Sequence, residues 1–198
     1  MRKLLSCVLM MTLLLCGCKG GGESSPEEAA LALRDTYENL AGWSSAVDIT
    51  AEMGDKVFGF TLDAVWRKDG ETVLTITAPE LLAGITARIA GGETVLEYDG
   101  AGLSLGLLDG RGLTAVSAVP WVMEQISRGY IAKCAWAGAN KELLQITFRD
   151  PEAEANRGTE YRVTFDRETL ALNGAEVSVD GASVLTVAFR GFAMLPQS

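Results

Sequence analysis

Histidine is missing from all 198 residues. Its absence excludes Ser-His-Asp and Cys-His catalysis and removes the commonest zinc ligand. Basic side chains are scarce: 17 Lys and Arg stand against 26 Asp and Glu, for a net charge of −9. Nucleic-acid binding needs clustered positive charge, and so does adhesion to anionic headgroups, so both are excluded as the basis of function. Proline is rare, at 5 residues, while glycine is frequent at 22, a balance that favours many tight turns and therefore many strands. Gly20-Gly21-Gly22 follows no strand pattern, so it is a tether and not a phosphate-cradling loop. The amino-terminal apolar run, Leu4 to Leu15, is about a dozen residues, short of the roughly 20 that a spanning helix needs.

Cysteine is sparse and unevenly placed: Cys7, Cys16 and Cys18 lie in the first 18 residues, and only Cys134 lies beyond them. Met1-Arg2-Lys3 followed by the apolar run reads as a secretory signal peptide over residues 1–17. Leu15-Cys16-Gly17-Cys18 resembles a bacterial lipobox, with small Gly17 in front of Cys18 where Cys16 has bulky Leu15. The resemblance implies that Cys18 is the lipid-attachment residue, diacylglycerylated and made the new amino terminus. Two acyl chains hold firmly where one holds marginally. Removing residues 1–17 takes away Arg2 and Lys3, so 15 basic residues face 26 acidic ones, a net of −11. Cys134 is then the one remaining thiol besides Cys18, no disulfide forms, and the thiol serves as a small apolar group. The expected address is the extracytoplasmic side of a cell membrane, with residues 18–25 as a flexible tether and residues 26–198 as one β-domain.

Ser25-Pro26-Glu27-Glu28 is a helix start: Ser25 caps, Pro26 suits the first position and Glu28 closes a capping box. Ala30, Leu33, Tyr37 and Leu40 share one helical face, and Gly42 is expected to end the helix. The period then changes to two. Val47, Ile49, Ala51 and Met53 alternate with polar residues, as do Phe58, Phe60, Leu62, Ala64 and Trp66. Strands are predicted over 72–77, 85–89, 94–98 and 103–108, punctuated by Asp69-Gly70, Gly91-Gly92, Asp99-Gly100 and Asp109-Gly110. A second helix is predicted over 117–129, with Pro120 in its first turn and Gly129 at its end. Strands resume over 131–137, 143–149, 160–165, 175–179 and 182–189. About eleven antiparallel strands in one sheet must curl, and two helices can fill the concave face.

This order of lipobox, tether, helix, meander, helix and meander resembles the lipoprotein-localisation carrier superfamily (LolA/LolB-like), and among its members the small clostridial germination-type lipoproteins. The residues behind the resemblance are Trp66 to Gly70, Thr77 to Glu80, Gly84 to Ala87, Leu96 to Gly100 and Val179 to Phe192. It implies an α+β, mainly β fold: an unclosed β-barrel wrapped around an amino-terminal and a mid-chain helix, with an apolar cavity between them.

No residue set points to catalysis, a cofactor or a metal. Asp150, Glu152 and Glu154 form the densest acidic cluster but lack the spacing of a calcium loop, and read as a solvated loop. The first functional reading is a non-catalytic protein that binds lipid or an acyl chain. Its cavity candidates are Phe58, Phe60, Leu62, Trp66, Leu74, Ile76, Ile146 and Phe148 on strands, with Trp121, Val122, Met123 and Ile126 on the helical lid. Binding would need only desolvation of an apolar chain. The same alternation serves equally as a filled core, since every β-domain of this size needs one. The second reading is a surface-tethered module that localises or activates a cell-wall enzyme of the spore-cortex type, a partner the resemblance implies, with Trp43 and Trp136 as candidate anchors.

Overall fold

The structure, a computed structural model, describes residues 24–68, 70–106 and 113–196. The expected signal peptide, residues 1–17, and Cys18 lie outside these residues. The first helix, α1, spans Pro26–Glu38. Its capping box forms in both directions: Glu28 N–H donates to Ser25 Oγ and Ser25 N–H donates to Glu28 Oε2, each at 3.2 Å. Ala30, Leu33, Tyr37 and, beyond the helix end, Leu40 are buried, as their spacing predicts. Gly42 does not end the helix. Asn39 caps it, and Gly42 opens the first strand, where a Cβ would meet Trp66 O at 2.5 Å.

Six strands follow: β1 Gly42–Met53, β2 Lys56–Arg67, β3 Thr72–Ala78, β4 Thr86–Ala90, β5 Glu93–Tyr98 and β6 Ala101–Gly106. The predicted strand over 103–108 therefore starts two residues earlier, and its positions 107 and 108 lie outside the described residues. The second helix, α2, spans Ala115–Arg128. It begins before the expected Ser117 because Thr114 caps it and Ser117 returns the bond: Ser117 N–H to Thr114 Oγ1 and Thr114 N–H to Ser117 Oγ, each at 3.1 Å. Pro120 consequently sits inside the helix and not in its first turn. Five strands complete the chain: β7 Ile131–Ala137, β8 Leu143–Arg149, β9 Thr159–Asp166, β10 Leu172–Val179 and β11 Ala182–Leu195.

All eleven strands are antiparallel neighbours in one sheet, ordered β6-β5-β4-β3-β2-β1-β11-β10-β9-β8-β7. The two meanders meet where β1 pairs with β11, from Gly42 opposite Leu195 to Ala51 opposite Leu185. Strand β11 runs past its predicted end at Phe189 because Ala193, Met194 and Leu195 continue this pairing beyond a bulge, and Phe192 and Met194 pack on the core. Strands β6 and β7 are the two free edges, so the barrel is unclosed. The residues on one face of the sheet and the apolar faces of both helices form one core. α1 lies against β7, β8 and α2, while α2 reaches β9.

Candidate functional site: an aromatic cavity under the second helix

The site begins with a cross-strand pair. Trp43 on β1 lies directly opposite Trp66 on β2. Trp43 is buried and Trp66 is half-buried against the core, and Thr72 on β3 continues the row opposite Trp66. Above this row passes the polar-edged face of α2. Tyr37, Trp43, Trp66, Thr72, Pro120, Met123, Glu124, Ser127 and Arg128 line a half-open pocket of about 280 Å³. Its aromatic wall is braced from behind. The Trp43 ring stacks on Phe192 at 5.6 Å, and Tyr37 meets Phe165 edge-on at 5.5 Å. Tyr37 O–H donates to Leu170 O at 2.8 Å, and burial raises the phenol far above its ordinary pKa, so the group is a fixed neutral donor. Trp43 is 1% exposed, yet its indole N–H has no protein acceptor. An unpaired buried donor of this kind carries a desolvation cost.

Glu124 and Arg128 pair one helical turn apart at 3.4 Å, giving one wall of the cavity a polar, charge-balanced edge. The helix that carries them is fastened to α1. Arg34 Nε donates to Ile126 O at 3.0 Å and its Nη2 to Gly129 O at 2.6 Å. A guanidinium at a helix carboxyl end satisfies orphan carbonyls and complements the helix dipole. The same guanidinium lies 5.8 Å from the Phe148 ring centroid.

The twelve strand and lid residues singled out from the sequence separate into groups. Trp66 and Met123 line the cavity. Leu62, Leu74, Val122, Ile126, Ile146 and Phe148 are buried within the packed core. Phe60 is half-buried in a separate groove with Ile49, Ala78 and Pro79. Ile76 and Trp121 are half-buried, and Phe58 is exposed near the β1–β2 tip. Trp43 is too deeply buried to anchor a partner, and Trp136 is half-buried with the Arg167 guanidinium 4.0 Å above its ring. Cys134 is half-buried on β7. Burial first, and then Glu27, raise its thiol pKa against the opposing pull of Arg34, so it is protonated and inert near neutrality. Sequence reasoning missed Tyr37, Thr72, Pro120, Glu124, Ser127 and Arg128 as lining residues. Extending the β1 alternation back from Val47 to Trp43 would have placed Trp43, whereas the others depend on how α2 crosses the sheet.

No family model and no curated protein matches the chain. Solved structures do. An uncharacterized conserved protein from Thermus thermophilus aligns at TM-score 0.53 and 7% identity, covering 88% of this chain and 90% of the other. A LolA superfamily protein from Nitrosomonas europaea aligns at TM-score 0.46 and 10% identity, covering 89% and 96%. A chain of the complex of the CwlD amidase with the GerS lipoprotein from Clostridioides difficile aligns at 0.49 and 13%, covering 88% and 98%. At these identities the likeness is one of fold. The fold itself is a single open antiparallel sheet curled around two helices.

Proposed function

We propose that this protein is a membrane-anchored lipoprotein, lipidated at Cys18 after loss of residues 1–17, whose half-barrel binds one acyl chain without catalysis. The observation that carries the reading is the cavity bounded by Tyr37, Trp43, Trp66 and Met123. Its wall is aromatic and thioether, which favours removing methylenes from water. Its 280 Å³ holds about nine water-sized groups at roughly 30 Å³ each, enough for one acyl segment and too little for two full chains. The packed residues Leu62, Leu74, Ile146 and Phe148 belong to the filled core and not to the pocket lining.

Native mass spectrometry of residues 19–198, followed by organic extraction, tests this. One bound acyl ligand per chain is expected, and Met123→Trp, which fills the cavity, is expected to abolish uptake while leaving the fold intact. A clean ligand-free mass with no uptake of added fatty acid or phospholipid would sink the reading. Pull-downs for a cell-wall enzyme would then test the docking alternative.

A further inference from the structure

The sheet has two edges, β6 and β7, and they are protected unequally. An edge strand presents unpaired N–H and C=O groups, and proteins blunt such edges with charge, proline, bulges or a covering helix. Strand β7 has three of these devices: Lys133 within it, a register break between Ile131 and Lys133, and α1 packed against it. Strand β6, Ala101-Gly102-Leu103-Ser104-Leu105-Gly106, carries neither charge nor proline, and all of it up to Leu105 is exposed. Its one register break falls at Leu105, past the regularly paired stretch 101–104. Leu103 is 61% exposed and Leu105 47%. Asp99 and Gly100, at φ 48° and 78°, close the β5–β6 hairpin as a two-residue turn. The pair that closes such a turn, Tyr98 with Ala101, shares its hydrogen bonds, so alternation along the ladder turns the N–H and C=O of Gly102 and Ser104 away from β5.

We propose that β6 pairs antiparallel with β6 of a second copy of this chain, joining two half-barrels into one continuous sheet. The sequence of the edge argues for this occupant. Residues 102–106 read Gly-Leu-Ser-Leu-Gly in both directions. About a two-fold axis through Ser104, Ser104 meets its own copy, Leu103 meets Leu105 of the partner subunit, and Gly102 meets Gly106 of the partner subunit. A two-fold interface requires every contact to be returned, and this register returns each one with the same residue types. Leu103 and Leu105 are two residues apart and share a face, so the two leucine pairs lie side by side across the axis. The outward N–H and C=O of Ser104 bond the same groups of its copy. Charge agrees with the placement. A chain of net charge −9 repels its copy, and β6 brings two copies together over a stretch without charge. The protected β7 edge leaves one pairing strand per chain, so assembly closes at two. Helix α1 lies at the β7 edge and leaves β6 unobstructed.

Sedimentation of the purified full chain in detergent micelles tests this. A dimer is expected, and it should tighten as added salt screens the repulsion between two acidic chains. Ser104→Pro removes an outward N–H without touching a bond to β5, and Leu105→Lys puts a charge in the interface. Each is expected to weaken dimerisation about tenfold or more with the far-UV circular dichroism unchanged. In a Cys134→Ala background, Ser104→Cys is expected to cross-link to its own copy through a short bismaleimide, whereas Lys133→Cys and the background alone are not. A monomer at every concentration overturns the proposal. So does a dimer that survives both variants, and so does a position-104 cross-link that forms in membranes only with a different protein, which would assign the edge to that protein's strand. Acyl uptake by both variants should match the parent, so failure of the strand pairing is distinguished from failure of the pocket.

Discussion

The two meanders are built from the same alternation but bury it differently. In β7–β11 the inward residues are large and enclosed: Leu144, Ile146, Phe148, Tyr161, Val163, Phe165, Leu172, Val177, Leu185, Val187 and Phe189 are all buried. In β2–β6 the buried apolar set is Leu62, Ala64, Leu74 and Ala87, and two of these are alanine. Among the described residues, Val57, Phe58, Val65, Leu81, Tyr98, Leu103 and Leu105 are the large apolar side chains left exposed on this side. The helices explain the contrast, because α1 lies on β7 and β8 and α2 reaches β9. One wing is packed against the helices; the other leaves more of its apolar surface uncovered. The cavity lies at the seam, where β1–β3 pass under α2.

The sharpest way to break this contrast is to truncate matched aromatics. Phe165→Ala, in the packed wing and against Tyr37, is expected to cost about 3–5 kcal/mol in denaturant unfolding. Phe58→Ala, in the open wing, should stay within about 1 kcal/mol of the parent. Equal losses would mean that the two wings are equally packed in solution. Next in size is Arg34→Ala, which removes two charged hydrogen bonds from the end of α2 and should cost about 2 kcal/mol. Because the same end of α2 carries Ser127 and Arg128 at the cavity, acyl uptake should weaken with it. Arg34→Lys should restore part of each.

Hydrogen exchange gives a subtler reading. Amides of β8–β10 are expected to exchange only through global unfolding, and those of β4–β6 through smaller openings. Uniform protection across both wings would remove the basis for the comparison.

The smallest effect concerns acid. Thr169, through its hydroxyl and then its amide, and Glu168 N–H hold the Asp166 carboxyl below the ordinary carboxylate range in the β9–β10 turn. A depressed native pKa contributes stability above the unfolded value, near about 4, and that contribution is lost as pH falls through the lower native value. Asp166→Asn should therefore be slightly less stable than the parent at neutral pH and converge with it in acid. A gap that persists unchanged to low pH would assign the loss to geometry instead.

Much of this protein was legible from its residues. The capping box at Ser25 and the apolar spacing of α1 are local signals, and local hydrogen bonds decide them. The period-two runs and the Asp-Gly and Gly-Gly turns fixed strand number and neighbour order, because a hairpin sets its own register. The start of α2 was misread, since Thr114 and Ser117 make a capping box without the expected acid. Six of the twelve cavity candidates are filled core because alternation reports which face is apolar, not what lies on it.

By itself the sequence determined an acidic, histidine-free chain with a lipobox-like amino terminus and one curled antiparallel sheet, all consequences of composition and short-range pattern. Only the tertiary structure decided that both helices favour the carboxy-terminal wing, that Trp43 and Trp66 share a pocket with Met123, and that β1 pairs with β11 to join the two meanders. The reason is physical. Those facts depend on contacts between residues far apart in the chain, and long-range packing chooses which apolar surface is covered and which stays open.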